Sequence, residues 1–384
     1  MKKSENSLIL MKYYIITFGC QMNQSDSERI ALVLEKKGYR PASKKSEADL
    51  IVVNMCSIRQ SAVDRVYGQI KNFAKLKNQN PKLKTILTGC ILKSDRRKFR
   101  KKFDSILEFR NLNILPKRQD NSNALIPISN GCNNFCSYCV VPFTRGSLVC
   151  RSHKDILKEV KRAISNKAKQ IWLLGQNVND YRSPVNSLVT ELPKEAKVKM
   201  RTEFSSINFP KLLKMVNNVS GNFRINFISP NPKDFSDELI DVMASLEKID
   251  KYLNLPVQSG DNEILKKMRR PYTVEKYKNL VKKIRKKIPE IALSTDIIVG
   301  FPGETRKQFQ NTVKLFKEIK FNMAYISKYS PRPGTIAFQM KDNVPLEEKK
   351  RREKLLRDVL NYEKTYCYSG ADGFRKIGVG DKTL

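Results

Sequence analysis

Histidine is almost missing: in 384 residues there is only His153. General-base chemistry built on imidazole is thereby reduced to one position, and a four-ligand zinc site completed by histidine has one candidate, 14 residues past Cys139. No run of about 18 apolar residues occurs, so no membrane-spanning helix and no membrane partner are expected. The apolar stretch Leu8 to Phe18 is broken by Lys12 and lacks a small-residue cleavage site, so it reads as a first strand rather than a signal peptide. A cytoplasmic location is expected, where thiols stay reduced. Acidic residues are scarce as well: 38 Asp+Glu face 74 Lys+Arg, a net charge of +36. So basic a chain attracts polyanions, nucleic acid first and an anionic membrane surface second, although a merely lysine-coated surface has the same composition.

What is present is a globular composition and an unusual set of thiols. Hydrophobic residues make up 40% of the chain, and its length suggests two domains. Eight cysteines in a reducing compartment are read as metal ligands before disulfides. Strand patterns over Tyr13–Phe18, Leu50–Asn54 and Thr85–Thr88 alternate with helical patterns over Ser25–Lys37 and Ser61–Lys77, the first with Ser25 and Glu28 in capping-box positions. Such alternation predicts a parallel α/β sheet. Cys20, Cys56 and Cys90 each follow one of these strands, which gathers them at the carboxyl edge where ligands collect. Three buried core cysteines are the bland alternative.

A composition rich in Lys, Arg and Asn over residues 91–123 marks a boundary near 118–123. Six further strand candidates follow: Ala124–Ser129, Gln170–Leu174, Arg224–Ile228, Tyr252–Leu255, Leu293–Val299 and Met323–Lys328. Helical patterns lie between most of them, which suggests a barrel or partial barrel with its site at the strands' carboxyl ends. Pro184 to Lys199 reads as a loop, Leu346 to Tyr366 as a final helix. Directly after the first of these strands comes Gly131-Cys132-Asn-Asn-Phe-Cys136-Ser-Tyr138-Cys139. Three thiolates spaced C-x3-C-x2-C, with no fourth nearby, leave one iron of a four-iron cluster open. An open iron can chelate the amino and carboxylate groups of S-adenosylmethionine and, with one electron, release a 5′-deoxyadenosyl radical.

The ordered motifs resemble the radical S-adenosylmethionine methylthiotransferases from about Lys12 to about Leu360. They are Thr17-Phe-Gly-Cys20-Gln-Met-Asn23, Asn54-Met-Cys56-Ser-Ile-Arg59, Thr88-Gly-Cys90, the three-cysteine motif, Leu255-Pro-Val-Gln-Ser-Gly260, Asp296-Ile-Ile-Val-Gly-Phe-Pro-Gly-Glu304 and Tyr329-Ser-Pro-Arg-Pro-Gly-Thr335. Gly19 to Asn23, Val140 to Gly146 and Leu174 to Asn179 resemble most closely the branch acting on isopentenyladenosine at tRNA position 37. Other branches, acting on threonylcarbamoyladenosine or a ribosomal aspartate, are the nearest alternatives. A non-catalytic iron–sulfur RNA-binding protein is the alternative of another class.

The resemblance implies an N-terminal flavodoxin-like parallel-sheet domain over 1–120, a partial (β/α)6 radical barrel over 121–345, and a C-terminal helix and tail over 346–384 without the branch's usual C-terminal TRAM β-barrel. It implies two [4Fe–4S] clusters, an auxiliary one on Cys20, Cys56 and Cys90 and a radical one on Cys132, Cys136 and Cys139. S-adenosylmethionine, tRNA through its anticodon loop, an electron donor such as flavodoxin or ferredoxin, and a monomeric chain complete the expectation. Tyr138 is expected to pack on the cofactor's nucleoside. Gln176, Asn177, Gln258 and Ser259 are expected to hydrogen-bond cofactor or base; Asp296, Gly300 and Gly303 are expected to line its pocket, with a plain tight turn as the equal alternative for the glycines. Arg145 and Arg332 are expected to meet the cofactor carboxylate or tRNA phosphate. Cys150, Cys367 and His153 are expected to have no ligand role. Asn231, Pro271, Leu148 and Cys150 depart from the family pattern.

Overall fold

A computed structural model describes residues 11–109, 112–116, 122–184 and 207–367. The loop expected to begin at Pro184 and the tail after the final helix lie, past Pro184 and Cys367, outside the described residues. Five strands open the chain: β1 (Lys12–Phe18), β2 (Arg40–Pro41), β3 (Leu50–Cys56), β4 (Lys84–Cys90) and β5 (Ser105–Ile106), all parallel in the order β2-β1-β3-β4-β5. Every residue of β3 is buried, as a central strand covered on both faces requires. Helix α1 (Gln21–Lys36) covers one face, where Ile30, Ala31 and Leu34 pack on Tyr13, Leu50 and Val52. Helix α2 (Gln60–Gln79) covers the other, with Val63, Val66 and Phe73 against Ile51, Val53 and Leu87. Helix α3 (Lys93–Phe99) follows β4.

The expected start of the first helix is corrected by four residues. The helix begins at Gln21, and Cys20 is its N-cap, with the Cys20 N–H donating to Asn23 Oδ1 at 3.4 Å. Ser25 lies inside the helix and is buried, and its hydroxyl donates to Leu125 O at 2.9 Å. Its capping-box spacing to Glu28 is therefore coincidental; Ser25 fastens α1 to the next sheet.

Six parallel strands build the second unit: β6 (Asn123–Pro127), β9 (Gln170–Leu174) and β10 (Arg224–Phe227), then β11 (Tyr252–Asn254), β12 (Ala292–Val299) and β13 (Met323–Lys328). The two three-stranded sheets are joined by a parallel bridge between Ile225 and Ile249, which places the strands in chain order. No pairing of β13 with β6 occurs among the described residues, so the barrel is partial. A short antiparallel ribbon, β7 (Ser129–Asn130) with β8 (Val149–Cys150), brackets the three-cysteine loop and helix α4 (Val141–Thr144). Around the barrel run α5 (His153–Ser165), α6 (Phe209–Asn217), α7 (Asp237–Ser245), α8 (Asn262–Lys267), α9 (Val274–Lys287), α10 (Arg306–Ile319) and α11 (Leu346–Cys367).

The two units share a buried seam. Met22 of α1 packs with Leu125, Trp172 and Leu174 of the barrel. Arg29 of α1 pairs with Glu159 of α5 at 2.8 Å, both side chains 0% exposed, and Arg151 reaches the same carboxylate at 2.8 Å. No helix among the described residues is long and apolar enough to cross a membrane.

Candidate active site

The three N-terminal thiols meet at the carboxyl edge of the first sheet. Cys56 and Cys90 end adjacent strands and face each other in register, while Cys20 stands at the start of α1, exposed where the other two are buried. A hydrogen bond between Cys56 and Cys90 lowers the first thiol and raises the second. Asn23 ties the set together: its Nδ2 donates to Asn54 Oδ1 at 2.9 Å and to Cys90 Sγ at 3.8 Å, and its Oδ1 accepts from Cys20 Sγ at 3.5 Å. Gly89 adopts φ +107°, and a Cβ there would collide with Met55 O, so only glycine lets β4 approach β3 this closely.

Arg145, at the end of α4 in the second unit, also grips this set. Its Nε donates to Cys90 Sγ at 2.8 Å, its Nη1 to Asn130 Oδ1 at 2.9 Å and its Nη2 to Asp26 Oδ2 at 2.8 Å. Burial disfavours the charged guanidinium, but Cys90, Asp26 and Cys20 outweigh it and raise Arg145 above its ordinary value. Arg332, also expected near cofactor or RNA, comes to the same quarter: it is buried, donates through Nη1 to Gln60 Oε1 at 2.8 Å, and is lowered by burial against the opposing pull of Asp95 and Cys56.

The second thiol set occupies the loop after β6. Ser137 pins that loop to α8, its N–H donating to Met268 O at 3.1 Å and its hydroxyl to Lys267 O at 2.7 Å. Asn134 Nδ2 donates to Cys132 Sγ at 3.4 Å, and Arg270 Nη1 to Cys136 Sγ at 3.6 Å. Burial pushes the Cys139 thiol up to about 12. Tyr138 joins a cluster with Ile264, Met268, Phe301, Tyr329 and Ala337, and burial raises its phenol well above the ordinary value, with Arg270 pulling it back.

Polar atoms without partners collect at the barrel strands' carboxyl ends. Ser129 Oγ, Gln176 Oε1, Asn226 Nδ2 and Asn254 Oδ1 are all buried and unpartnered. Asp296 lies among them: burial raises its carboxyl, while a hydrogen bond from Asn254 and the charges of Arg59 and Arg270 oppose the rise. A barrel mouth lined by such polar groups fits a ligand dense in hydrogen-bonding groups, as S-adenosylmethionine is.

The other expected residues have contacts within the protein. Asn177 donates to Asp234 Oδ2 at 2.9 Å and accepts from the Asn231 N–H at 3.2 Å, so its amide organises the loop after β10. Asn231 in turn caps its own turn, accepting from Lys233 N at 3.2 Å. Ser259 Oγ accepts from Asp261 N at 3.3 Å. Gln258 takes φ +75° and bridges β12, its N–H donating to Asp296 O at 2.9 Å. Gly300 sits against Lys349 of α11 and donates to Glu304 Oε2 at 2.7 Å, and Gly303 donates to Asn343 Oδ1 at 2.8 Å. Both glycines thus shape a tight turn. His153 forms a structural pair with Ser183, 2.9 Å from Nδ1.

Arg270, Asn23, Asn226 and Asn254 were missed as site residues. The signal for the last two was available: each is a polar residue between two apolar neighbours at a barrel strand, Asn226 between Ile225 and Phe227 and Asn254 between Leu253 and Leu255. Two sets of three thiols, each with a buried arginine donating to one sulfur, suit a negatively charged group with one corner left for a non-protein ligand. Among the described residues no three His, Cys, Asp or Glu converge on a single ion. A four-iron cube spreads its irons over separate corners, so its thiolates stand farther apart than the ligands of one tetrahedral ion.

The family model of the Radical SAM superfamily matches residues 126–316, and that of an uncharacterized protein family, UPF0004, matches residues 12–108. Curated relatives named tRNA-2-methylthio-N(6)-dimethylallyladenosine synthase include one from Clostridium botulinum, 39% identical, spanning 94% of this chain and 85% of the relative. One from Carboxydothermus hydrogenoformans is 39% identical over 91% of this chain and 83% of the relative. Another, from Dehalococcoides mccartyi, is 41% identical over 90% of this chain and 82% of the relative. Among solved structures, the radical S-adenosylmethionine methyltransferase TsrM from Kitasatospora setae, with cobalamin and a [4Fe–4S] cluster bound, superposes with a TM-score of 0.55 over 85% of this chain and 77% of that one. At 12% identity that likeness concerns fold alone.

Proposed function

Because this chain belongs to the radical S-adenosylmethionine methylthiotransferases, we propose that it methylthiolates carbon 2 of N6-dimethylallyladenosine (isopentenyladenosine) beside the anticodon of tRNA, with Cys20, Cys56 and Cys90 holding an auxiliary [4Fe–4S] cluster and Cys132, Cys136 and Cys139 the radical one. The observation that carries the division into two cooperating sites is Arg145, which leaves the radical-motif helix and donates to Cys90 Sγ at 2.8 Å. When bound, the radical-site cluster supplies the electron that cleaves S-adenosylmethionine to a 5′-deoxyadenosyl radical, and the auxiliary cluster supplies an iron for the transferred sulfur. The adenine C2–H bond is strong and non-acidic, which suits a chain whose site contains no histidine. Arg145 and Arg270 offset thiolate charge at one sulfur of each set. Asn226, Asn254, Gln176 and Asp296 orient the cofactor, and Tyr138 closes the cavity beside Cys136 and Cys139.

In this reading residues 1–120 carry the auxiliary site, 121–345 the radical barrel and 346–384 the closing helix and tail. A flavodoxin or ferredoxin donor and a monomer working in the cytoplasm belong to the same proposal; light scattering tests the monomer, and donor-dependent reduction of the clusters tests the donor. The deciding experiment uses anaerobically reconstituted protein, S-adenosylmethionine, a reductant and tRNA bearing dimethylallyladenosine. Nucleoside mass spectrometry should find the 2-methylthio derivative. Deoxyadenosine release without any methylthio nucleoside would refute the assigned reaction.

A further inference from the structure

A cleft of about 440 Å³ opens where three segments meet: Leu92 to Arg97 after β4, Pro142 and Phe143 of α4, and Pro333 and Gly334 after β13. Each wall is tied to the Cys56 and Cys90 pair. Leu92 N donates to Ser57 Oγ at 3.2 Å, and the Ser57 N–H donates to Cys90 O at 2.8 Å. Phe143 shares α4 with the helix end from which Arg145 reaches Cys90. Pro333 follows Arg332, whose charge acts on Cys56. The cleft therefore sits beside Cys56 and Cys90, with α4, which follows Cys139 closely in sequence, as one wall, and its volume suits one nucleobase with a short side arm.

Its lining is divided by chemistry. Phe143 is 52% exposed, unusual for a phenyl ring with no functional reason to face solvent, and Leu92, Pro142 and Pro333 extend the apolar wall. Lys93 and Arg97 stand exposed on the α3 side of the cleft, in a helix whose last turn adds Arg96 and Lys98. Buried polar atoms lie within and beside it: Ser94 Oγ, which lines the cleft, and Arg332 Nε and Nη2, next in sequence to Pro333, have no partner among the described residues. An apolar wall with a flat aromatic ring, a cationic rim and unsatisfied hydrogen-bonding groups together match a splayed-out nucleotide.

We propose that this cleft receives the target nucleoside, with the Phe143 ring stacking on adenine, Leu92 and Pro142 taking the N6-alkyl arm, and Lys93 and Arg97 holding the flanking phosphates. The proposal rests on the methylthiotransferase reading and names the residues that make the enzyme prefer the alkylated base. An apolar arm desolvated against Leu92 and Pro142 strengthens binding, whereas plain adenosine leaves that wall wet.

The test is equilibrium binding of two anticodon stem-loop RNAs, identical except that one carries N6-dimethylallyladenosine and the other plain adenosine, to the reconstituted chain. Phe143→Ala should weaken binding of the alkylated stem-loop by roughly 5- to 100-fold, and Phe143→Trp should restore it. Leu92→Ala should shrink the preference for the alkylated over the plain RNA, expected to be at least about tenfold in the parent chain. Lys93→Ala with Arg97→Ala should lower the slope of log affinity against log salt by roughly 1 to 2, while Lys44→Ala, equally exposed on a distant groove, leaves the slope unchanged. Unaltered affinity and preference in folded Phe143→Ala and Leu92→Ala proteins would overturn the cleft assignment. Because binding is read apart from turnover, a parent chain that binds selectively but forms no methylthio product would instead indict the reaction.

Discussion

Arg145 Nε lies 2.8 Å from Cys90 Sγ, although Cys90 ends a strand of the first sheet and Arg145 closes helix α4 of the second unit, 55 residues further along the chain. Its other two donors are committed to Asn130 and Asp26, so the guanidinium is held in one plane by three partners. Arg145→Lys preserves charge but supplies one donor direction in place of three. Iron per reconstituted chain should fall from about eight toward about four, with the auxiliary cluster lost. Iron analysis with electron paramagnetic resonance checks this; full occupancy of both clusters in the lysine variant would contradict it.

The two cysteine sets should fail in different ways. Cys90→Ala should still release deoxyadenosine from S-adenosylmethionine and make no methylthio nucleoside, whereas Cys136→Ala should do neither. Paired deoxyadenosine and nucleoside assays decide the matter, and methylthio product from Cys90→Ala would remove that thiol from its assigned role.

Asn226 buries an unpartnered Nδ2 in the barrel. Asn226→Leu removes a buried donor with no partner within the protein, so stability should rise by about 1 kcal/mol, while the Kd for S-adenosylmethionine should increase roughly 3- to 10-fold through a lost hydrogen bond. Thermal unfolding and equilibrium dialysis read the two opposite signs. An unchanged Kd would place Asn226 away from the cofactor.

Glu159 is buried between Arg29 and Arg151, at 2.8 Å from each. Glu159→Gln leaves two buried guanidinium groups short of a countercharge and should cost about 3–5 kcal/mol. Urea unfolding should show the midpoint falling sharply; a shift within error would mean that water already reaches this seam.

At Asp104 burial opposes ionisation, yet hydrogen bonds from Lys77 and Thr85 bring the carboxyl down to about 2. The folded value lies below the unfolded value of about 3.9, so this stabilisation is present above pH of about 4 and is lost as pH falls toward 2. Discounted for its partly exposed position, it amounts to about 1 kcal/mol. The stability gap between parent and Asp104→Asn should therefore be open at pH 6 and nearly closed at pH 2; equal gaps at both would show that the charge contributes nothing.

Much of the fold was legible because its signals are local. Apolar strands such as Leu50–Cys56 and amphipathic helices such as Val274–Lys287 announce themselves through periodicity. The first helix was placed late because Cys20 is an unusual N-cap, and the Ser25 and Glu28 pair imitated a better one. The positions of the thiols were legible for the same local reason. What was hidden depends on contacts between distant segments: nothing near Arg145 in sequence points to Cys90, and nothing near Arg270 points to Cys136. At Gly300 and Gly303 the sequence could not choose, because a tight turn and a cofactor-lining loop call for the same residue type; in the fold Gly300 meets Lys349 and Gly303 donates to Asn343.

The buried seam also bears on inheritance. Asp26 and Arg29 sit in one unit and their countercharges, Arg145 and Glu159, in the other. A recombinant that joined this first sheet to a foreign barrel would strand an anion and a cation in its interior, and the donated barrel would carry the opposite pair of orphans. The halves of this chain are therefore not exchangeable parts: lineages that reshuffle them must alter both sides of the seam together, or keep the two halves travelling as one.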